Sequence, residues 1–382
     1  MNDRERFLAT MHYQPRDRCP MWDFGFWKEA LVLWRGQGLP PEVDDNRKAS
    51  RFFGMDDFDR GLGVHLELMP GFETGLVKET DQYRWVRRED GVVQRWHKHS
   101  VTIPEPVEHA LTGRGTWPEF KRRLRPDDPR RIPEDFVERL APHKDGGRTW
   151  PLSIGAGSVY GRIRDWIGLE DLSLLLYDDR ALVQEIIETR TDCAVAALGK
   201  ALRLAKAGGV TFDYASMWED ICFNRGPLIA PKMFREMCAP SYRRITDLLH
   251  RYGVRIVQLD CDGKVDDLIP IWLDAGVNCM FPIEIGDWAD PFELRKRFGR
   301  TMLMRGGFDK HILARGPEAI TAEVERLVPL VEEGAFIPHC DHRVPADVTL
   351  ANYLHYVREA KRVWGKGLAN LRPTPALHGK AR

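Results

Sequence analysis

Short apolar runs alternate with amphipathic stretches along most of the chain. Runs of strand type lie at 19–24 (CPMWDF), 62–68 (LGVHLEL), 150–155 (WPLSIG), 209–214 (GVTFDY), 254–260 (VRIVQLD), 277–284 (VNCMFPIE), 301–307 (TMLMRGG) and 335–339 (AFIPH). Between most of them the apolar residues keep a helical period. The clearest case is 179–206, where Leu182, Val183, Ile186, Ile187, Cys193, Ala194, Ala197, Leu198 and Ala201 recur on one face. Asp178 or Asp179 is placed to cap its start, and Gly208-Gly209 to end it. Further helices are predicted over 231–251, 264–275, 290–298, 316–333 and 349–364. Strands separated by helices pair in parallel, and eight of them predict a single (β/α)8 TIM barrel. A doubly wound open sheet is the rival, but no Gly-x-Gly-x-x-Gly follows the first strand, so no nucleotide cofactor is expected.

One stretch departs from this rhythm. Residues 75–100 alternate as antiparallel strands do, and Glu89-Asp90-Gly91 has the chemistry of a hairpin turn. This predicts a β-hairpin insertion after strand two, followed by a proline- and charge-rich excursion over 104–148 before strand three. The expected organisation is one catalytic barrel domain over 1–365, carrying an insertion at 72–148, and a flexible C-terminal tail over 366–382.

Composition narrows the function. Lys+Arg and Asp+Glu number 57 each, so no net field draws in nucleic acid or an anionic membrane. No apolar run approaches the ~18 residues that span a bilayer, and the start is charged where a signal peptide would be apolar. The cysteines Cys19, Cys193, Cys222, Cys238, Cys261, Cys279 and Cys340 are odd in number and form no Cys-x-x-Cys pair, which argues against a disulfide framework or a zinc knuckle. A soluble cytoplasmic protein with a small-molecule substrate is expected, either alone or as a homodimer.

A barrel carries its active site at the C-terminal ends of its strands. In that frame, Trp22 and Asp23 end strand one, Asp213 follows strand four, and Asp260 and Asp262 follow strand five. Glu284 follows strand six, and Arg305 ends strand seven. The stretch IPHCDHRVP brings His339, Cys340, Asp341 and His342 just past strand eight. The bland alternatives stand beside this: Asp262-Gly263 also suits a plain turn, Glu284 suits an ion pair, and Trp22 suits the barrel core.

Several stretches resemble the uroporphyrinogen decarboxylase superfamily, which also includes cobalamin-dependent methyltransferases. These are RERFLATMHYQPRDRCPMWDF, GLEDLSLLLYDD, GPLIAPKMFREMCAPSYRRI, the run from LDCDG to FPIE, RGGFDKHIL and HCDHRVPADVTLAN. The resemblance covers nearly all of 2–365 and implies a single barrel.

The departures from the family pattern are informative. The true decarboxylases follow Pro-x-Trp with an arginine-bearing segment that holds substrate carboxylates. Here Pro20-Met21-Trp22 runs into Asp23-Phe24-Gly25-Phe26-Trp27-Lys28-Glu29, so a polyanionic tetrapyrrole would meet acidic residues in place of its clamps. The methyltransferase branch holds zinc through His-x-Cys after strand five and a cysteine after strand eight. Here the first motif reads Asp260-Cys261-Asp262, and the last cysteine falls on His342, ten residues before Asn352. The decarboxylases place their active-site histidine at that same point. The resemblance therefore implies His342, with Asp260 and Asp262, as catalytic residues, and the rim placement adds Glu284. His342, Asp260 and Asp262 would be ligands for a divalent metal such as zinc or, without metal, a carboxylate–histidine acid/base set. The rim placement makes Trp22, Asp23, Asp213, Arg305 and His339 the candidate substrate contacts. The expected reaction is methyl transfer or demethylation, metal-assisted and linked to a corrinoid through a partner protein. Decarboxylation of a smaller acid, with Arg305 or Arg164 taking its carboxylate, is the alternative. A non-catalytic barrel that binds a corrinoid or tetrapyrrole is the reading from another class.

Overall fold

In the computed structural model of this chain, described for residues 1–58, 60–99, 103–286 and 289–365, the expected tail at 366–382 lies outside the described residues. The polypeptide forms two units. The first comprises Met1–Asp59, Thr149–Pro151 and Pro282–Arg382, and the second Arg60–Arg148 and Leu152–Phe281.

The second unit holds β1 (Gly61–Leu62), β2 (Gly75–Glu79), β3 (Tyr83–Arg87), β4 (Val93–His97), β5 (Glu105–Glu108), β6 (Ser153–Gly157), β7 (Tyr214–Trp218), β8 (Cys222–Phe223), β9 (Gly226–Pro227) and β10 (Ile256–Asp260). Strand β11 (Cys279–Ile283) begins in this unit. Parallel ladders join β1 to β6, β6 to β7, β7 to β10 and β10 to β11. The helix 180–207 lies between β6 and β7 in the chain and buries the apolar face read from its period. Asp179 caps its start by accepting from Leu182 N at 3.1 Å, and Gly208 closes it.

The insertion is larger than a hairpin. Strands β2 to β5 form a four-stranded antiparallel sheet, because residues 105–108 add a strand to β4 that the proline-rich excursion did not announce. The expected turn is present, with Gly91 at φ +84°, a backbone conformation that favours glycine.

The first unit holds β12 (Leu303–Phe308) and β13 (Phe336–Cys340), paired in parallel from Met304↔Phe336 to Phe308↔Cys340. Every residue of both strands is buried, as parallel strands covered on both faces require. The predicted helix over 316–333 is two, 317–326 and 328–333, with Pro329 in the first turn of the second. Helix 350–364 starts at Thr349, which accepts from Asn352 N at 3.2 Å. It packs Tyr353 against Trp34 (ring centroids 4.9 Å) and Phe53 (4.7 Å).

The predicted first strand at 19–24 is extended chain rather than a ladder strand. Its backbone is taken by Asp56, whose carboxylate accepts from Met21 N at 2.9 Å and whose own N–H donates to Met21 O at 2.7 Å. Among the described residues, parallel pairing appears only beyond it, as a bridge between Phe26 and Val344. The strands β1, β6, β7, β10, β11, β12 and β13 are thus the seven parallel strands among the described residues. Their alternation with helices puts the chain in the α/β class, of the (β/α)8-barrel type expected from the sequence.

Candidate functional site

Strand ends decide which side chains reach a barrel rim, and three of them fall later than the sequence suggests. Strand four was expected at 209–214, but β7 runs 214–218, so Asp213 precedes the strand instead of following it. Its carboxylate is committed there, accepting from Leu152 N at 2.8 Å and pairing with buried Arg148 at 3.2 Å. Arg305 is the third residue of β12, not its end, because the strand continues through Gly306 and Gly307. A Cβ on Gly306 would lie 2.7 Å from Ile283 N, which explains a glycine inside the strand. His339 likewise belongs to β13 and is fully buried.

The second unit builds a carboxylate cluster. Asp260 is the last residue of β10, Asp262 lies two residues on, and Asp220 lies two residues after β7. All three are half-buried, and each offers an oxygen within 4.8 Å of the other two. Backbone contacts fix the cluster: Glu219 N donates to Asp260 O at 2.9 Å, and Asp262 N to the Asp220 carboxylate at 3.3 Å. Asp220 holds φ +47°, a left-handed conformation rare for a residue with a side chain. Burial, reinforced by the neighbouring Asp262 charge, pushes its carboxyl up to about 6. Arg164 donates to the Asp220 carbonyl and pairs with Asp165 at 2.7 Å, so its guanidinium is already engaged.

This donor set is all oxygen, which suits magnesium, manganese or calcium better than zinc. Burial and contact with Cys222 raise the Cys261 thiol well above its usual range, so Cys261 offers no thiolate to the cluster. All seven cysteines are free and buried, as their scattered spacing suggested.

The first unit builds an aromatic and cationic cluster around Trp22. The Arg305 guanidinium lies 4.1 Å from the Trp22 ring, and His339 meets that ring edge-on at 4.7 Å. His339 Nδ1 lies 2.7 Å from the Cys340 carbonyl, which can only accept, so Nδ1 carries the proton and Nε2 the lone pair. Burial, and then the Arg305 charge, hold this histidine well below its usual range, in the neutral form. Asp23 is buried, accepts from Tyr353 OH at 2.8 Å and from Phe24 N at 3.0 Å, and is pushed up to about 7 chiefly by burial.

His342 is half-buried two residues past β13. It is edge-on to Phe24 (5.4 Å) and stacked on Trp27 (5.8 Å), with the Arg343 guanidinium over both of those aromatic rings. Glu284, just past β11, pairs with Lys310 at 2.9 Å. Lys310 also reaches the fully buried Asp341 at 3.5 Å, whose carboxyl burial pushes up to about 6 against the pull of Lys310.

The structure therefore gathers Asp260 and Asp262 in the second unit. Trp22, Asp23, Glu284, Arg305, His339 and His342 belong to the first. Sequence reasoning missed Asp220, Glu219, Lys310 and Tyr353. The available signal was Trp218-Glu219-Asp220, two acids after an aromatic, which marks a rim only once β7 is given its true end.

A family model described as "Uroporphyrinogen decarboxylase (URO-D)" matches residues 153–363, more than half of the chain. Among curated proteins, the uroporphyrinogen decarboxylase of Xanthomonas axonopodis pv. citri (strain 306) is 24% identical over 367 residues, covering 87% of this chain and 89% of that protein. That of Magnetococcus marinus is 22% identical over 375 residues, covering 90% of each. Among solved structures, a methyltransferase from Methanosarcina mazei superposes with a TM-score of 0.56 at 13% identity, over 95% of this chain and 99% of that one. At that identity the structural likeness speaks for the fold alone. Among the described residues no helix is long and apolar enough to cross a membrane.

Proposed function

Because the chain belongs to the uroporphyrinogen decarboxylase (URO-D) family, we propose that it is an enzyme acting on a small organic molecule by methyl transfer or demethylation, assisted by a divalent cation at Asp220, Asp260 and Asp262. The observation that carries this reading is the convergence of those three carboxylates at the ends of β7 and β10, where a barrel conducts its chemistry. A cation held there would supply Lewis acidity to a substrate heteroatom. The protein's own groups do the rest. Asp220, Asp260 and Asp262 supply the oxygen donors. His342, edge-on to Phe24 and stacked on Trp27 within the first unit, is the proposed functional histidine. A corrinoid protein is the proposed methyl acceptor. The lack of an arginine clamp for a polyanionic tetrapyrrole between Asp23 and Glu29 supports this reading over tetrapyrrole decarboxylation.

Decarboxylation of a small acid is the second reading. It is favoured by the names of the curated relatives and by Arg305, buried beside Trp22 and the neutral His339. Arg164, with its guanidinium engaged, is the weaker of the two arginines for that task.

The test offers purified protein a panel of O-, N- and S-methyl compounds with cob(I)alamin as acceptor, followed by the visible spectrum of the corrinoid. Methylation that is lost with EDTA and in His342→Ala supports the proposal. Carbon dioxide release from carboxylated compounds, with no corrinoid methylation, replaces it with the second reading.

A further inference from the structure

Glu219 is fully buried, immediately precedes Asp220, and its carboxylate accepts from five donors. Its Oε1 accepts from Val159 N at 2.6 Å and from Tyr242 OH at 2.6 Å. Its Oε2 accepts from Ser158 Oγ at 3.1 Å, Tyr160 N at 3.0 Å and Gly161 N at 2.6 Å. The chain after β6 is thus wrapped around one side chain from the end of β7. The fit is close enough that a Cβ on Gly161 would lie 2.0 Å from Glu219 O. On the other side, Glu219 N is tied to Asp260 O at 2.9 Å. One residue therefore links three rim segments: the loop after β6, the end of β7 and the end of β10. The next residue along is the left-handed Asp220.

We propose that Glu219 is the positioning residue of the carboxylate cluster, its side chain holding the main chain so that Asp220 stays in the left-handed conformation that turns its carboxylate toward Asp260 and Asp262. This rests on the reading of that cluster as a cation site. Glu219 does not touch the ion, since all its carboxylate hydrogen bonds run to protein donors. It acts as the residues behind metal ligands commonly do, by fixing the orientation of the group in front of it. A strained backbone conformation of this kind persists only where its surroundings over-determine it, and five donors to Glu219 supply that constraint.

The test measures Mn2+ affinity of the purified protein by electron paramagnetic resonance, alongside thermal melting. Glu219→Gln keeps the shape but turns an amide N–H toward donors. It is expected to lower Mn2+ affinity by about tenfold or more. Tyr242→Phe removes one donor, keeps the packing, and guards against a Gln variant that fails to fold; a loss of about threefold is expected, scaled down from that range. Leu198→Ala, a buried position on the 180–207 helix, controls for simple destabilisation and should bind Mn2+ as the parent protein does. Parent-like affinity in both the Glu219 and Tyr242 variants overturns the inference, as does an equal loss in Leu198→Ala. Absence of Mn2+ binding by the parent protein overturns the cation site itself, and the inference with it.

Discussion

The carboxyl of Asp23 and the hydroxyl of Tyr353 meet at 2.8 Å inside the first unit, both side chains shut off from solvent. Burial raises Asp23 to about 7, far above an unfolded aspartate, so between about pH 4 and 7 the folded state holds a proton that the unfolded state has released. Stability from this group is complete below the unfolded value and is lost as pH rises through the folded one. The expected slope is about 1 kcal/mol per pH unit over pH 5–7. Urea titrations at three pH values should show it, and Asp23→Asn should flatten it. An equally steep profile in the variant places the titration elsewhere.

Asp220→Asn should act in opposite directions with and without a cation. It removes the repulsion with Asp262 and suits a left-handed backbone, so at pH 7 without metal the variant should melt at least as high as the parent. Millimolar Mn2+ should raise the melting temperature of the parent and leave that of the variant unmoved. A cation-induced rise of equal size in both removes Asp220 from the donor set.

Lys310→Met removes the ammonium that pairs with both Glu284 and the buried Asp341. Removing one member of a buried ion pair costs about 3 kcal/mol. The loss should be larger at pH 7 than at pH 5, because Asp341, raised to about 6, takes up a proton at the lower pH. Denaturation at the two pH values gives the comparison, and a pH-independent loss would contradict the pairing.

Trp22 was open to two readings from sequence, pocket wall or core. With 7% exposure, a guanidinium on its face and His339 at its edge, it packs as core. Trp22→Ala should cost about 3–5 kcal/mol of stability, and Trp22→Phe about half of that. A loss below about 1 kcal/mol in the alanine variant would return Trp22 to the pocket.

What the sequence disclosed follows from what periodicity can carry. The 180–207 helix, the parallel strands and the antiparallel insertion were legible because each repeats its burial pattern over many residues. Single-residue strand ends were not. Tyr214-Ala215-Ser216-Met217-Trp218 lacks a strong apolar run, so the preceding GVTFDY took its place, and Asp213 stood where Asp220 belongs. Residues 19–24 look like a strand, yet long-range hydrogen bonds to Asp56 claim their backbone, and nothing local announces that. The partners of Glu219 lie as far apart in sequence as Val159 and Tyr242, a gathering that only folding reveals.

The first unit is assembled from three separate stretches of chain, the last of them beginning at Pro282. During synthesis at about 5–20 residues per second, its opening segment waits tens of seconds for the closing one. Thr10 has no Ala335 N–H to accept from (2.7 Å in the finished protein), and Trp34 and Phe53 have no Tyr353 to pack against. The last residue of the second unit is Phe281, so all of its chain is made earlier. Phe26, Trp34 and Phe53 can meet one another early, but the ring that closes their cluster, Tyr353, arrives only with the last helix.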